Sequence, residues 1–139
     1  MTEVLTFLWQ HWTLSLAFIA VLIVILFEEY RAYTGGGARL DPQSAVDRIN
    51  REDAVVLDLR NGETFKKGHI VNSINIAAND LDANIHKLAK YKNRPLILVC
   101  QNGVTSAKVV PKLKKLGFTQ LYLIGGGIEA WKRENLPLK

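Results

Sequence analysis

The sequence predicts an α/β domain with a central, mainly parallel sheet flanked by helices, carried behind one N-terminal transmembrane helix. Three observations predict it. A long uncharged apolar run fills most of the first thirty residues; short runs rich in leucine and β-branched residues then alternate with helical patterns; and glycine, proline and capping residues sit where one pattern gives way to the next. With the apolar run set aside about a hundred residues remain, enough for one compact core.

The N-terminal element comes first. Residues 12–27 read WTLSLAFIAVLIVILF without a charge, and the stretch from about Leu5 to Phe27 is long enough at 1.5 Å per residue to cross a hydrocarbon core of roughly 30 Å. Trp9, Trp12, Tyr30 and Tyr33 flank it as interfacial aromatics do. No Lys or Arg precedes the run, and Glu28-Glu29-Tyr30 follows it where a cleavage site would carry small residues, so an uncleaved anchor over residues 1–33 is expected. Arg31 and Arg39 lie just after the span, and the positive-inside rule then places the following domain in the cytoplasm, on the inner membrane of a bacterium. His11, Glu28 and Glu29 read as headgroup-level residues rather than as ligands or a catalytic pair. Thr34-Gly35-Gly36-Gly37 offers almost no side chain to pack and is expected to be a flexible tether over residues 34–37, with the folded domain occupying 38–139.

Within that domain, Ala54 to Leu57, Ser73 to Ile76, Leu96 to Val99 and Leu121 to Ile124 read as strands, apolar enough for a sheet buried on both faces. Asp41-Pro42 supplies a cap and a first-turn proline for a helix to about Asn50. A second helix is expected from Asp80 to about Lys90, a third from Thr105 or Ser106 until Gly117 stops it, and a last one that Gly127 precedes and that runs through Glu134. Pro111 falls inside the third, where its missing N–H predicts a lost hydrogen bond and a kink. Gly125-Gly126-Gly127 lacks the lysine and hydroxyl residue of a phosphate loop, so a tight strand-to-helix turn is the reading.

Charge divides the chain in the same way. None of the 18 basic side chains and only three of the 13 carboxylates precede residue 31, so the first thirty residues carry −3 and the rest +8. The longest basic cluster is Lys112, Lys114 and Lys115, with no RNA-binding aromatic motif beside it, and lipid proximity accounts for the excess better than nucleic acid does. The single cysteine, Cys100, excludes an internal disulfide and a cysteine-built zinc site within one chain, and it suits a reducing compartment. No metal and no cofactor is expected.

A lone cysteine is ordinarily a small buried hydrophobe. Here it stands at the carboxyl end of the strand LILV, where open α/β sheets bind ligands, and the turn Gln101-Asn102-Gly103-Val104 feeds a helix. A sulfur in that place faces unpaired backbone N–H groups and the positive end of a helix dipole. Both favour a thiolate, a persulfide or a bound oxyanion.

In order along the chain, Asp58-Leu59-Arg60, Phe65-Lys66-Lys67-Gly68-His69-Ile70, Asn72-Ser73-Ile74-Asn75-Ile76, Cys100-Gln101-Asn102-Gly103-Val104-Thr105 followed by Ser106, Gly117-Phe118, Gly126-Gly127-Ile128-Glu129-Ala130-Trp131 and Leu136-Pro137 form a series. This series resembles the single-domain rhodaneses, the thiosulfate sulfurtransferases, over residues 38–139. The resemblance implies that Cys100 takes a sulfane sulfur from a donor, holds it as a persulfide and passes it to a nucleophilic acceptor. It implies a loop of Gln101, Asn102, Gly103, Val104, Thr105 and Ser106 cradling that sulfur, with Asp58 and Arg60 supporting the loop or lining the pocket; a structural ion pair is the other reading of those two. His69 is expected to fix a turn rather than to act as a base, and His86 to be solvated.

Two positions depart from the resemblance: Gln101 stands where the loop usually has arginine, and Thr105 is the sixth loop residue. Attraction for a dianion then falls to backbone dipoles, Arg60 or Lys108, so the expected donors are a protein persulfide or polysulfide as well as thiosulfate, with a thiol or protein acceptor. A cysteine phosphatase needs arginine six residues after the cysteine, where this chain has Ser106, which argues against that chemistry. The alternative of another class is a membrane-tethered binding or adaptor module with weak catalysis.

Overall fold

The computed structural model describes residues 1–35 and 37–139, with only the backbone for 31–35. It divides into two units, Met1–Gly35 and Gly36–Lys139.

The first unit holds α1 (Thr2–Gln10) and α2 (Trp12–Gly35). They are not one helix: His11 leaves helical geometry at φ −120°, ψ 40°, and its carbonyl accepts the Leu14 and Ser15 amides that open α2. The expected span from Leu5 to Phe27 is therefore corrected to Trp12–Tyr30, 19 residues of mean hydropathy 2.0. This is one helix long and apolar enough to cross a membrane. Its Leu14, Phe18, Ile23 and Phe27 are all exposed, as a helix apolar all round must be unless lipid or protein covers it. The expected tether over residues 34–37 falls partly on described residues. α2 continues through Thr34 and Gly35, Gly36 lies outside the described residues, and Gly37 packs within 3.0 Å of the Leu121 carbonyl oxygen, measured from where a Cβ would stand.

The second unit is a five-stranded sheet in the order β1-β5-β4-β2-β3, every neighbouring pair parallel: β1 (Ala38–Leu40), β2 (Val55–Asp58), β3 (Ile74–Asn75), β4 (Leu96–Val99) and β5 (Leu121–Ile124). Alternation along each strand feeds two cores. Leu57, Leu98 and Cys100 join Leu81, Leu88, Val110 and Leu113 on one face, under α5 (Leu81–Asn84) and α6 (Val104–Lys115). Val56, Ile97, Val99 and Ile124 join Ala45, Ile128 and Trp131 on the other, under α3 (Pro42–Glu52) and α7 (Gly127–Arg133). Parallel strands need crossovers, and helices on both faces are what bury such runs.

β4 and β5 coincide with their sequence patterns, and α3 begins where Asp41 accepts the Ser44 amide. Three elements differ. β2 runs Val55–Asp58, one residue on from the expected Ala54 to Leu57. β3 is two residues rather than four. The expected helix from Asp80 to Lys90 is a 3-10 turn at Ala78–Asp80, the short α5, and a 3-10 stretch at Ile85–Tyr91. Ile85, Leu88 and Tyr91 recur every third residue and all pack on the first core, the stripe a three-residue turn lines up. β1 and α4 (Gly62–Lys67) had no strong pattern of their own. α6 runs through Pro111 as one element.

Candidate active site

Cys100 is delivered by the end of β4, and alternation turns its side chain into the first core, where the residue is 3% exposed. The chain then reverses through Gln101, Asn102 and Gly103. Gly103 has φ +91°, a left-handed conformation that costs side-chain-bearing residues, and a Cβ there would stand 3.2 Å from the Gly126 amide nitrogen. α6 begins at the next residue, so its first free N–H groups point back at the sulfur.

The sulfur is held from one side. Gly103 N–H donates to Cys100 Sγ at 3.1 Å and Ser106 N–H at 3.4 Å. Ser106, fully buried, places its Oγ 3.4 Å from Sγ and donates to the Gly103 carbonyl at 3.2 Å, fixing the loop across its base. The Asn102 side-chain oxygen accepts the Val104 amide at 3.2 Å, an Asx turn that sets the corner. Gln101, Asn102, Val104 and Thr105 are exposed at the rim. Of the loop residues expected from sequence, the fold thus brings Cys100, Gly103 and Ser106 together and leaves the other four facing solvent.

Beneath the loop lies an arrangement that the sequence reading did not include. The first turn of α7 hydrogen-bonds to the loop's own carbonyls, Ile128 N–H to Cys100 O at 2.8 Å and Glu129 N–H to Gln101 O at 3.3 Å. Gly127, at φ +63°, makes that approach possible, because a Cβ would overlap the Cys100 carbonyl oxygen and lie 2.8 Å from the Asn102 amide nitrogen. Of the expected turn Gly125-Gly126-Gly127, Gly125 and Gly126 join β5 to α7 and Gly127 opens the helix, and Gly126 and Gly127 also form the floor of the cysteine loop.

The profile of the Rhodanese-like domain family matches residues 41–134, from the cap of α3 to just beyond α7. The chain belongs to the rhodanese-like domain family. It is similar over its whole length to the uncharacterized protein YibN of Escherichia coli K12, 37% identical over 139 residues that cover 99% of this chain and 97% of that one. It is also similar to the thiosulfate sulfurtransferase GlpE of Coxiella burnetii, 30% identical over 88 residues, 63% of this chain and 80% of the relative. The structure of a rhodanese-related protein from Thermoplasma volcanium covers 73% of this chain and 97% of its own at TM-score 0.66 and 27% identity.

In this rhodanese-like domain Asp58 and Arg60 form a buried pair. Arg60 donates from Nε to Oδ1 at 3.0 Å and from Nη2 to Oδ2 at 2.8 Å, and its Nη2 also reaches the Gly68 carbonyl at 2.8 Å. Asp58 is in register with Val99, so the pair stands beside the strand end that delivers Cys100. The pair ties β2 to the turn after α4 through the Gly68 carbonyl, and Asn75 secures the same corner by donating to the Asp58 and Arg60 carbonyls at 3.2 and 2.8 Å. His69 belongs to that turn too: its Nδ1 lies 2.8 Å from the Phe65 carbonyl, its ring stacks on Phe65 at 3.8 Å, and its backbone pairs with Lys139.

Proposed function

We propose that this chain is a rhodanese-type sulfurtransferase, anchored by α2 in the bacterial inner membrane with its rhodanese-like domain in the cytoplasm. One observation carries the reading. The only thiol in the chain stands at the mouth of a parallel sheet with two backbone N–H groups directed at its sulfur, the arrangement that stabilises negative charge on a sulfur nucleophile.

The Cys100 thiolate attacks the sulfane sulfur of a donor. A bond forms between Sγ and that sulfur, and the bond to the donor's remainder breaks with its electron pair leaving on the remainder, as sulfite when the donor is thiosulfate. Cys100 then carries a persulfide whose terminal sulfur bears the charge, within reach of the N–H groups of the 101–106 loop. In the second half-reaction an acceptor thiolate attacks the terminal sulfur and Cys100 leaves as thiolate. The donors are thiosulfate, a polysulfide or a protein persulfide, and the acceptor is a thiol or a protein nucleophile.

Intact mass spectrometry of the protein after incubation with thiosulfate or polysulfide tests this. A gain of about 32 Da, one sulfur atom, that dithiothreitol removes and that Cys100→Ser lacks is the expected result. No adduct from any donor sinks the reading and leaves a tethered binding module, which Cys100→Ser would not impair.

A further inference from the structure

We propose that Glu129 sets the charge preference of the Cys100 loop, disfavouring dianionic donors such as thiosulfate and favouring sulfane sulfur carried by an uncharged or cationic group. The proposal rests on the sulfurtransferase reading of the same site and names its substrate class.

The loop itself holds no cation: Gln101, Asn102, Gly103, Val104, Thr105 and Ser106 are all neutral. Arg60, the buried cation beside the strand end, is bonded to Asp58 and to the Gly68 carbonyl. The two N–H groups on Sγ favour charge at the sulfur and add no net charge to the mouth. Lys108 is exposed on α6, and Arg133 Nη2 lies 3.3 Å from where a Gly126 Cβ would stand, but neither touches the loop residues through a hydrogen bond or pairs with Glu129 among the described residues. Glu129 is the charge bonded to the loop. The Glu129 N–H bond to the Gln101 carbonyl fixes the residue against the loop, and its carboxylate accepts Gln101 Nε2 at 3.4 Å. Gln101 is next in sequence to the nucleophile, so this carboxylate sits at the rim of the site.

An arginine at position 101 would meet Glu129 at this distance and cancel it, whereas a neutral amide satisfies one oxygen and leaves the full negative charge. Val104, 54% exposed on the same rim, adds an apolar contact for the organic body of a carrier, which thiosulfate lacks. In the first half-reaction a thiolate and thiosulfate bring charges of −1 and −2 together beside a third anion. With charges about 8 Å apart in water, removing that anion speeds approach of a monoanion roughly two- to threefold and of a dianion roughly fivefold, an effect that salt suppresses.

The test uses the full-length protein in an uncharged maltoside detergent. Cys100 is the sole thiol, so every adduct mass reports on it. Iodoacetate and iodoacetamide both alkylate the sulfur with loss of iodide and differ by one charge. The iodoacetate-to-iodoacetamide rate ratio should rise roughly two- to threefold in Glu129→Gln and at least as far in Gln101→Arg at low salt, with the differences shrinking at about 1 M salt. The rate of persulfide formation from thiosulfate, relative to alkylation by iodoacetamide, should rise roughly fivefold in the same variants. An unchanged ratio in both variants overturns the proposal, as does a Cys100 that neither reagent reaches. A shifted ratio with no persulfide from any donor upholds the charge preference and removes only the sulfur chemistry on which its substrate class depends.

Discussion

A methyl group at position 127 would close off the space that the cysteine loop occupies. Gly127→Ala brings a Cβ onto the Cys100 carbonyl oxygen at a backbone angle of φ +63°, so both sterics and conformation oppose it. A stability loss of about 2–4 kcal/mol is expected, together with loss of persulfide formation. Gly62→Ala is the control: the nearest atom to its added Cβ is the Asn75 side-chain oxygen at 3.8 Å, and the change should be neutral or stabilising by a few tenths of a kcal/mol in urea unfolding. Arg60 acts by another route. With Arg60→Ala the Asp58 carboxylate, fully buried, loses its partner, and a loss of about 3–5 kcal/mol is expected from the same measurement. Arg60→Lys should recover only part of it, since an ammonium cannot donate side-on to both carboxylate oxygens while also reaching Gly68.

At the scale of elements, α3 shows how a local motif sets a boundary. Asp41 caps it, and hydrogen bonding, first from the Ser44 hydroxyl and then from its amide, holds the Asp41 carboxyl below the ordinary carboxylate range. A carboxylate with a depressed folded-state pKa stabilises the fold fully above its unfolded value, and that contribution is lost as pH falls through the folded value. Asp41→Asn should therefore leave a difference in unfolding midpoint from the wild type that is constant at neutral pH and narrows below the usual carboxylate range. An unchanging difference down to the most acidic pH would show that the cap works through geometry alone. The segment after β3 shows the converse, where sequence pattern underdetermines the element. Leu81, Ile85 and Leu88 fit a helical period while Ile85, Leu88 and Tyr91 fit a three-residue one, and packing on the first core selects the tighter winding at Ile85–Tyr91.

For the whole molecule, the arrangement of charge leads to a prediction about membrane orientation. The span Trp12–Tyr30 is followed by all of the chain's Lys and Arg residues, so a protease added to intact spheroplasts should spare the rhodanese-like domain and one added to inverted vesicles should degrade it. Degradation in spheroplasts would place the domain on the other side and remove the argument from the reducing compartment. Much of this architecture was legible in sequence because it depends on near neighbours. Apolar runs of strand length wrote β4 and β5 residue for residue, the Asp41 cap placed α3, glycines bounded α6 and α7 to within about two residues, and the end of LILV put Cys100 at the carboxyl edge of the sheet. Gly103 and Ser106 were within six residues of that sulfur and could be assigned to its cradle. Local pattern, however, carries no information about which strands pair. Only the tertiary structure decided that β5 and β2 flank β4, which sets Gly126 and Gly127 under the cysteine loop, brings Glu129 against Gln101, and puts Asp58 in register with Val99 beside the site. Those contacts join residues tens of positions apart through sheet order, and sheet order is settled by which buried faces fit together.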